Sequence, residues 1–151
     1  MDRQSPDARD EEIPTDPTPF SRRIAPVDAS RVLIVATSRI NRIVVAKIIE
    51  RSGLKTLSDL PENAESILDR LTPGTVILDG GPENRDCEHL MTRLATLRQN
   101  TQDGLPKVVL LTSRLPAAAN IVVSEAVDAV VPKPIIPERL QAVVDRLSGR
   151  D

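Results

Sequence analysis

The chain has no tryptophan and no tyrosine, and its single phenylalanine, Phe20, lies in a proline-rich stretch near the amino terminus. Aromatic side chains are the usual platforms for nucleobases and flat cofactors, so recognition by stacking is not expected from the rest of the chain. Cysteine and histidine are as scarce, with one of each at Cys87 and His89. A lone cysteine forms no intrachain disulfide, and the pair does not complete a tetrahedral zinc site, which fits a reducing compartment. Charge of one sign is not in excess either: 20 basic and 22 acidic residues leave a formal charge of −2. No basic field gathers a phosphate backbone, so nucleic acid is not an expected partner. No basic-apolar leader opens the chain, and no apolar run approaches the roughly 20 residues of a membrane span. A cytoplasmic protein without a membrane partner is expected.

What is present is aliphatic and periodic. The 151 residues suffice for one hydrophobic core. Residues 1–28 hold five of the thirteen prolines (Pro6, Pro14, Pro17, Pro19 and Pro26) and no helical or strand period, as expected of a disordered acidic tail preceding a domain over 29–151. Val32-Leu-Ile-Val35 is a β-branched run suited to a strand buried on both faces. After it Ile40, Val44, Ile48 and Ile49 recur at helical spacing up to Ser52-Gly53, where glycine closes the helix. Lys55 to Leu57 reads as a weak second strand. Pro61 opens a helix with Ala64, Ile67, Leu68 and Leu71 on one face. Thr75-Val-Ile-Leu-Asp79 is a third strand, a helix is expected from about Arg85 to Arg98, and Val108-Val-Leu-Leu111 and Ala129-Val-Val131 are strands four and five. A last helix starts near Pro137, with Leu140, Val143, Val144 and Leu147 as its apolar stripe. Five strands alternating with five helices predict an α/β fold, a flavodoxin-like doubly wound parallel sheet of order 2-1-3-4-5. Ligands of such sheets sit at the carboxyl ends of the strands, beside the switch between strands one and three, which selects Ala36, Thr37, Asp79, Thr112 and Lys133. Asp79, with Gly80-Gly81 behind it, serves there either as a nucleophile or as a salt-bridge partner of Lys133; Thr112 supplies a hydroxyl on the same rim or caps a turn.

These residues, in this order, resemble the receiver domain of bacterial two-component response regulators. Val32-Leu-Ile-Val35, Ile40-Asn41-Arg42, Val76-Ile-Leu-Asp79, Leu110-Leu-Thr112 and Lys133-Pro134-Ile135 fall at the spacing of that family over about Arg31 to Leu147. The resemblance implies that Asp79 is a phosphoacceptor taking its phosphoryl group from a phosphohistidine, that Thr112 contacts the phosphoryl oxygens, and that Lys133 neutralises them. It also implies a cis Lys133-Pro134 bond. Three departures stand out. Receivers end strand one with two acidic Mg²⁺ ligands, whereas Ala36 and Thr37 occupy those positions here. Mg²⁺ dehydrates reluctantly and wants octahedral oxygen ligation, so its binding is expected to be weak or absent, with no other cofactor. The aromatic switch position holds Val130, and Gly80-Gly81-Pro82 is shorter than the usual loop. Thr37 or Ser38 has a second use as the cap of helix one. Cys87 and His89 are assigned to packing.

Between strands four and five, Ala117-Ala-Ala119 and Ile121-Val-Val123 are apolar on more than one face. Either Ile121, Val122 and Val123 form an interaction surface, for a partner or a homodimer, or this helix is short and partly unwound. With nothing after Asp151, the expectation is an atypical, pseudo-receiver-like stand-alone regulator. It would act by binding a histidine kinase, a phosphotransfer protein or another signalling protein, not as an enzyme. A competent phosphoacceptor, serving as relay intermediate or phosphate sink through Asp79, is the first alternative. A small flavodoxin-like enzyme is the second, weakened by the lack of a convincing base or cofactor pocket.

Overall fold

The computed structural model describes residues 26–82, 85–101, 103–113 and 125–149. Its elements are β1 (Val27–Val35), α1 (Arg39–Glu50), β2 (Lys55–Asp59), α2 (Pro61–Arg70), β3 (Thr72–Asp79), α3 (Met91–Gln99), β4 (Lys107–Thr112), β5 (Ala129–Pro132) and α4 (Pro137–Leu147), with a 3₁₀ turn over Glu88–Leu90 before α3. The five strands form one sheet of order β2-β1-β3-β4-β5, every neighbouring pair parallel. This is the flavodoxin-like architecture that the alternating pattern predicts. Among the described residues there are four α-helices; the fifth expected helix, with Ile121, Val122 and Val123, lies outside them, as does the tail through residue 25.

The two-residue period of a strand divides each apolar run between two layers. Leu33, Val35, Val76, Leu78, Val108 and Leu110 face α2 and α3, where they meet Ala64, Leu68, Leu94 and Leu97. Val32, Ile34, Ile77, Val109, Leu111 and Val131 face α1 and α4, meeting Val45, Ile48, Ile49, Leu140 and Val144. All eight residues of β3 are buried, as befits the central strand. Its Gly74 is obligatory: a Cβ there would lie 2.4 Å from the carbonyl oxygen of Ala29, where the β1–β3 register shifts between Asp28 and Val32.

Local chemistry sets the helix ends. Ser38, rather than Thr37, caps α1, its Oγ accepting the Asn41 backbone N–H at 3.1 Å. The helix stops where Gly53, at φ 81°, turns the chain. Proline at the first turn opens both α2 and α4.

Three expectations are corrected. Ile40 and Val44, placed on the core stripe of the first helix by their spacing, are exposed, at 71% and 39%; the inward stripe is Val45, Ile48 and Ile49. Both stripes have helical spacing, and the packing selects the one that continues into Asn41 beside Asp79. The third helix begins at Met91, because the chain from Arg85 first runs through turns and the 3₁₀ segment that seats Cys87 and Leu90 in the core. Val27 and Asp28, assigned to the tail by composition, pair with Thr72 and Pro73 of β3. Their exposed or half-buried side chains leave no strand pattern for the sequence to display.

Candidate functional site at the carboxyl end of the sheet

Asp79 ends β3 with 3% of its surface exposed. One carboxylate oxygen, Oδ1, accepts the Lys133 Nζ at 2.5 Å and the Gly81 backbone N–H at 2.9 Å. The other, Oδ2, accepts the Asn41 side-chain amide at 2.7 Å. A buried carboxyl group without partners is strongly disfavoured, and these three donors supply the hydrogen bonds that burial takes from water. Each donor is delivered by a different element. Asn41 sits in the first turn of α1, whose position Ser38 fixes. Gly81 adopts φ +74°, and a Cβ there would lie 2.2 Å from a carboxylate oxygen of Asp86. Lys133 follows β5, held by its backbone N–H to the Thr112 carbonyl at 2.8 Å, and its bond to Pro134 is cis.

The end of β1 is arranged otherwise. Ala36 and Thr37 bring no carboxylate. The Arg42 guanidinium returns from α1 to donate to the Ala36 carbonyl at 2.6 Å and the Thr37 carbonyl at 3.2 Å. The Thr37 hydroxyl donates to Asp86 Oδ2 at 3.0 Å. Asp86 is positioned by its own backbone N–H, which bonds the Gly80 carbonyl at 3.1 Å. A cavity of about 360 Å³ opens among Thr37, Ser38, Asn41, Asp79, Asp86 and Lys133, with Ser113 also on its wall. Thr112 itself is fully buried at the end of β4, one residue short of that wall. Val130 lies on β5 opposite Leu110 and is 37% exposed.

Cys87 is buried beneath the site, its Sγ donating to the Asp79 carbonyl at 3.4 Å. Burial pushes its thiol up to about 12, helped by the negative charges of Asp86 and Asp79. His89 places Nε2 3.1 Å from the Pro61 carbonyl. Among the described residues no three His, Cys, Asp or Glu side chains are grouped to hold a metal ion.

The sequence-selected Asp79 and Lys133 therefore meet, with Thr37 across the cavity. Asn41, Arg42 and Asp86 belong to the same site without having been selected as site residues. Asn41 and Arg42 stood within a family-like motif, one of them in register to reach the end of β3. Asp86 gave no signal, since it reaches the cavity only through the turn at Gly81.

Solved structures of similar shape decide what the fold is. A response regulator from Thermotoga maritima matches over 80% of this chain and 98% of its own, with a TM-score of 0.64 at 20% identity. The chain has the receiver fold. The signal receiver domain of a LuxO-type repressor protein from Vibrio parahaemolyticus is similar to this receiver fold at TM-score 0.66 and 19% identity, over 81% of this chain and 92% of that one. The pseudo-receiver domain of the CikA protein matches at TM-score 0.59 and 21% identity, over 79% of this chain and 97% of that one. At the level of sequence, no protein-family model and no curated protein matches the chain. Among the described residues, no helix of this receiver fold is long and apolar enough to cross a membrane.

Proposed function

We propose that the chain is an atypical response regulator of two-component or phosphorelay signalling, acting in the cytoplasm through protein–protein contacts with an impaired Mg²⁺-dependent phosphorylation site. The observation that carries this reading is the contrast around Asp79. The groups suited to a phosphoryl anion, Lys133 and the Gly81 N–H, are at hydrogen-bond distance from it. The groups suited to a divalent cation are not assembled. Mg²⁺ takes near-octahedral oxygen ligation. At the end of β1 it would meet Ala36, a Thr37 hydroxyl engaged with Asp86, and two carbonyls that already accept from Arg42. The donor set does not fit the ion. Among the described residues, the Lys133 ammonium and the Gly81 N–H are left to offset charge gathering on a phosphoryl group at Asp79. The partners in this reading are a histidine kinase, a phosphotransfer protein or another signalling protein.

A second reading, a competent phosphoacceptor, draws on Asp86, whose carboxylate lines the same cavity and brings one acidic group back near the end of β1.

Gel mobility in a phosphate-binding matrix, after incubation with acetyl phosphate, separates the two. The wild type is expected to stay unshifted with or without Mg²⁺, alongside an Asp79→Ala control. An Ala36→Asp, Thr37→Asp variant is expected to gain a Mg²⁺-dependent shift and a Mg²⁺-dependent rise in Tm, because ligands that bind only the folded state stabilise it. Efficient Mg²⁺-dependent labelling of the wild type, lost in Asp86→Asn, would overturn the impaired-site reading in favour of the second.

A further inference from the structure

Two consecutive residues in the first turn of α1 donate to the oxygens that link the ends of β1 and β3. Asn41 gives its side-chain amide to Asp79 Oδ2 at 2.7 Å. Arg42 gives its guanidinium to the Ala36 carbonyl at 2.6 Å and to the Thr37 carbonyl at 3.2 Å. One cap fixes both: the Asn41 backbone N–H bonds Ser38 Oγ and the Arg42 backbone N–H bonds the Ser38 carbonyl, each at 3.1 Å. Arg42 is half-buried, and a neutral donor would satisfy those carbonyls as well; a guanidinium adds a full positive charge that does not titrate.

The positions of these donors matter for a cation. Asp79 Oδ1 is turned to Lys133 and Gly81, so Oδ2 is the oxygen directed toward α1. A divalent ion joining the ends of β1 and β3 would take this oxygen and a β1 carbonyl, each at about 2.1 Å. At the first it would meet the hydrogens of an amide, and at the second a guanidinium bound to the same oxygen. Both are repulsive, and the second is repulsion between full charges.

We infer that Asn41 and Arg42 are specificity-determining residues that exclude divalent cations from the cavity, their tethered N–H donors standing at the oxygens such an ion would bind. The inference deepens the impaired-site reading and rests on it. That reading follows from two missing carboxylates at Ala36 and Thr37, whereas exclusion is a second barrier, built into α1. A purely structural role for the two residues makes the opposite forecast. Removing Arg42 would then loosen the end of β1, disorganise whatever ligands stand there and weaken metal binding.

The test measures Mn²⁺ binding to the full chain, from the electron paramagnetic resonance of the free ion and from the rise in Tm that binding to the folded state produces. The wild type is expected to leave millimolar Mn²⁺ free. In the Ala36→Asp, Thr37→Asp background, adding Arg42→Met is expected to tighten Mn²⁺ binding about tenfold, and adding Asn41→Ala several-fold. Adding Arg39→Met, which removes an exposed charge from the same turn, is expected to change the affinity less than about twofold. Far-UV circular dichroism checks folding, and Arg42→Gln, which keeps donors while removing the charge, provides the readout if the Met variant does not fold. Mn²⁺ binding by the wild type, unchanged or weaker binding once Arg42 is replaced, equal tightening by Arg39→Met, or no binding by any of these chains would overturn the inference. If replacing Arg42 leaves the affinity unchanged while acetyl phosphate still fails to label the wild type, the inference falls and the impaired-site reading stands. Mg²⁺-dependent labelling of the wild type is the failure of that reading itself.

Discussion

Two stretches of the cavity rim invite comparison. At the carboxyl ends of β3 and β5, a buried carboxylate meets an ammonium at 2.5 Å, and a backbone N–H and a side-chain amide complete its shell. At the carboxyl end of β1, two residues without charge have their carbonyls tied down by a guanidinium. The first stretch stores opposite charges in a place shielded from water, and removing one leaves the other stranded. The second satisfies backbone groups with a long side chain reaching back from α1. The same sheet edge thus holds a charge-dependent half and a half held by hydrogen bonds to neutral acceptors, and the two should respond to perturbation differently.

The sharpest way to break the comparison is to strand Asp79. Lys133→Met is expected to cost about 3 kcal/mol, lowering Tm by about 10 °C, because a buried carboxylate then loses its counter-charge. Adding Asp79→Leu to that variant is expected to recover much of the loss in urea unfolding. Equal instability of single and double variants would show that the pair is not coupled. At the β1 end, Arg42→Met is expected to cost less, about 1–2 kcal/mol, since charged hydrogen bonds to carbonyls are lost without a buried ion being left behind. A loss as large as that of Lys133→Met would erase the distinction between the two halves.

The smallest effect belongs to Asp59, just beyond the β1 end. The Asn63 side-chain amide, and after it the Leu60 N–H, hold its carboxyl below the ordinary 3.8. A folded-state pKa below the unfolded one stabilises the fold fully above 3.8, and that contribution disappears as pH falls through the lower folded value. Asn63→Ala should therefore melt slightly below the wild type at neutral pH, and the gap should close in acid. Melting curves from pH 7 to pH 2.5 check this, and a gap that widens in acid would refute it.

Much of this was legible in the chain because it rests on local periodicity and on the few topologies that an alternating pattern allows. The strand runs, their order, the proline starts of α2 and α4 and the meeting of Asp79 with Lys133 all follow from periodicity and topology. The inward face of α1 was not, because Ile40, Ile43, Val44, Val45, Ile48 and Ile49 offer two apolar stripes, and only packing against the sheet chooses between them. Asn41 belongs to the same lesson: a polar residue on the buried stripe looks like an interruption until the carboxylate it serves is in place. Asp86 escapes any reading of spacing, since its approach to Thr37 depends on one positive φ at Gly81. Val27 and Asp28 escaped because edge-on pairing at the start of a strand buries little side chain.

That early start of β1 has a geometric consequence. Val27 pairs with Thr72 and Val35 with Leu78, so at about 3.3 Å per residue of β3 the strand runs roughly 20 Å through the domain. Whatever precedes Val27 therefore departs from the pole opposite Asp79. A chain held at Val27 itself has its cavity at the opposite end of the sheet.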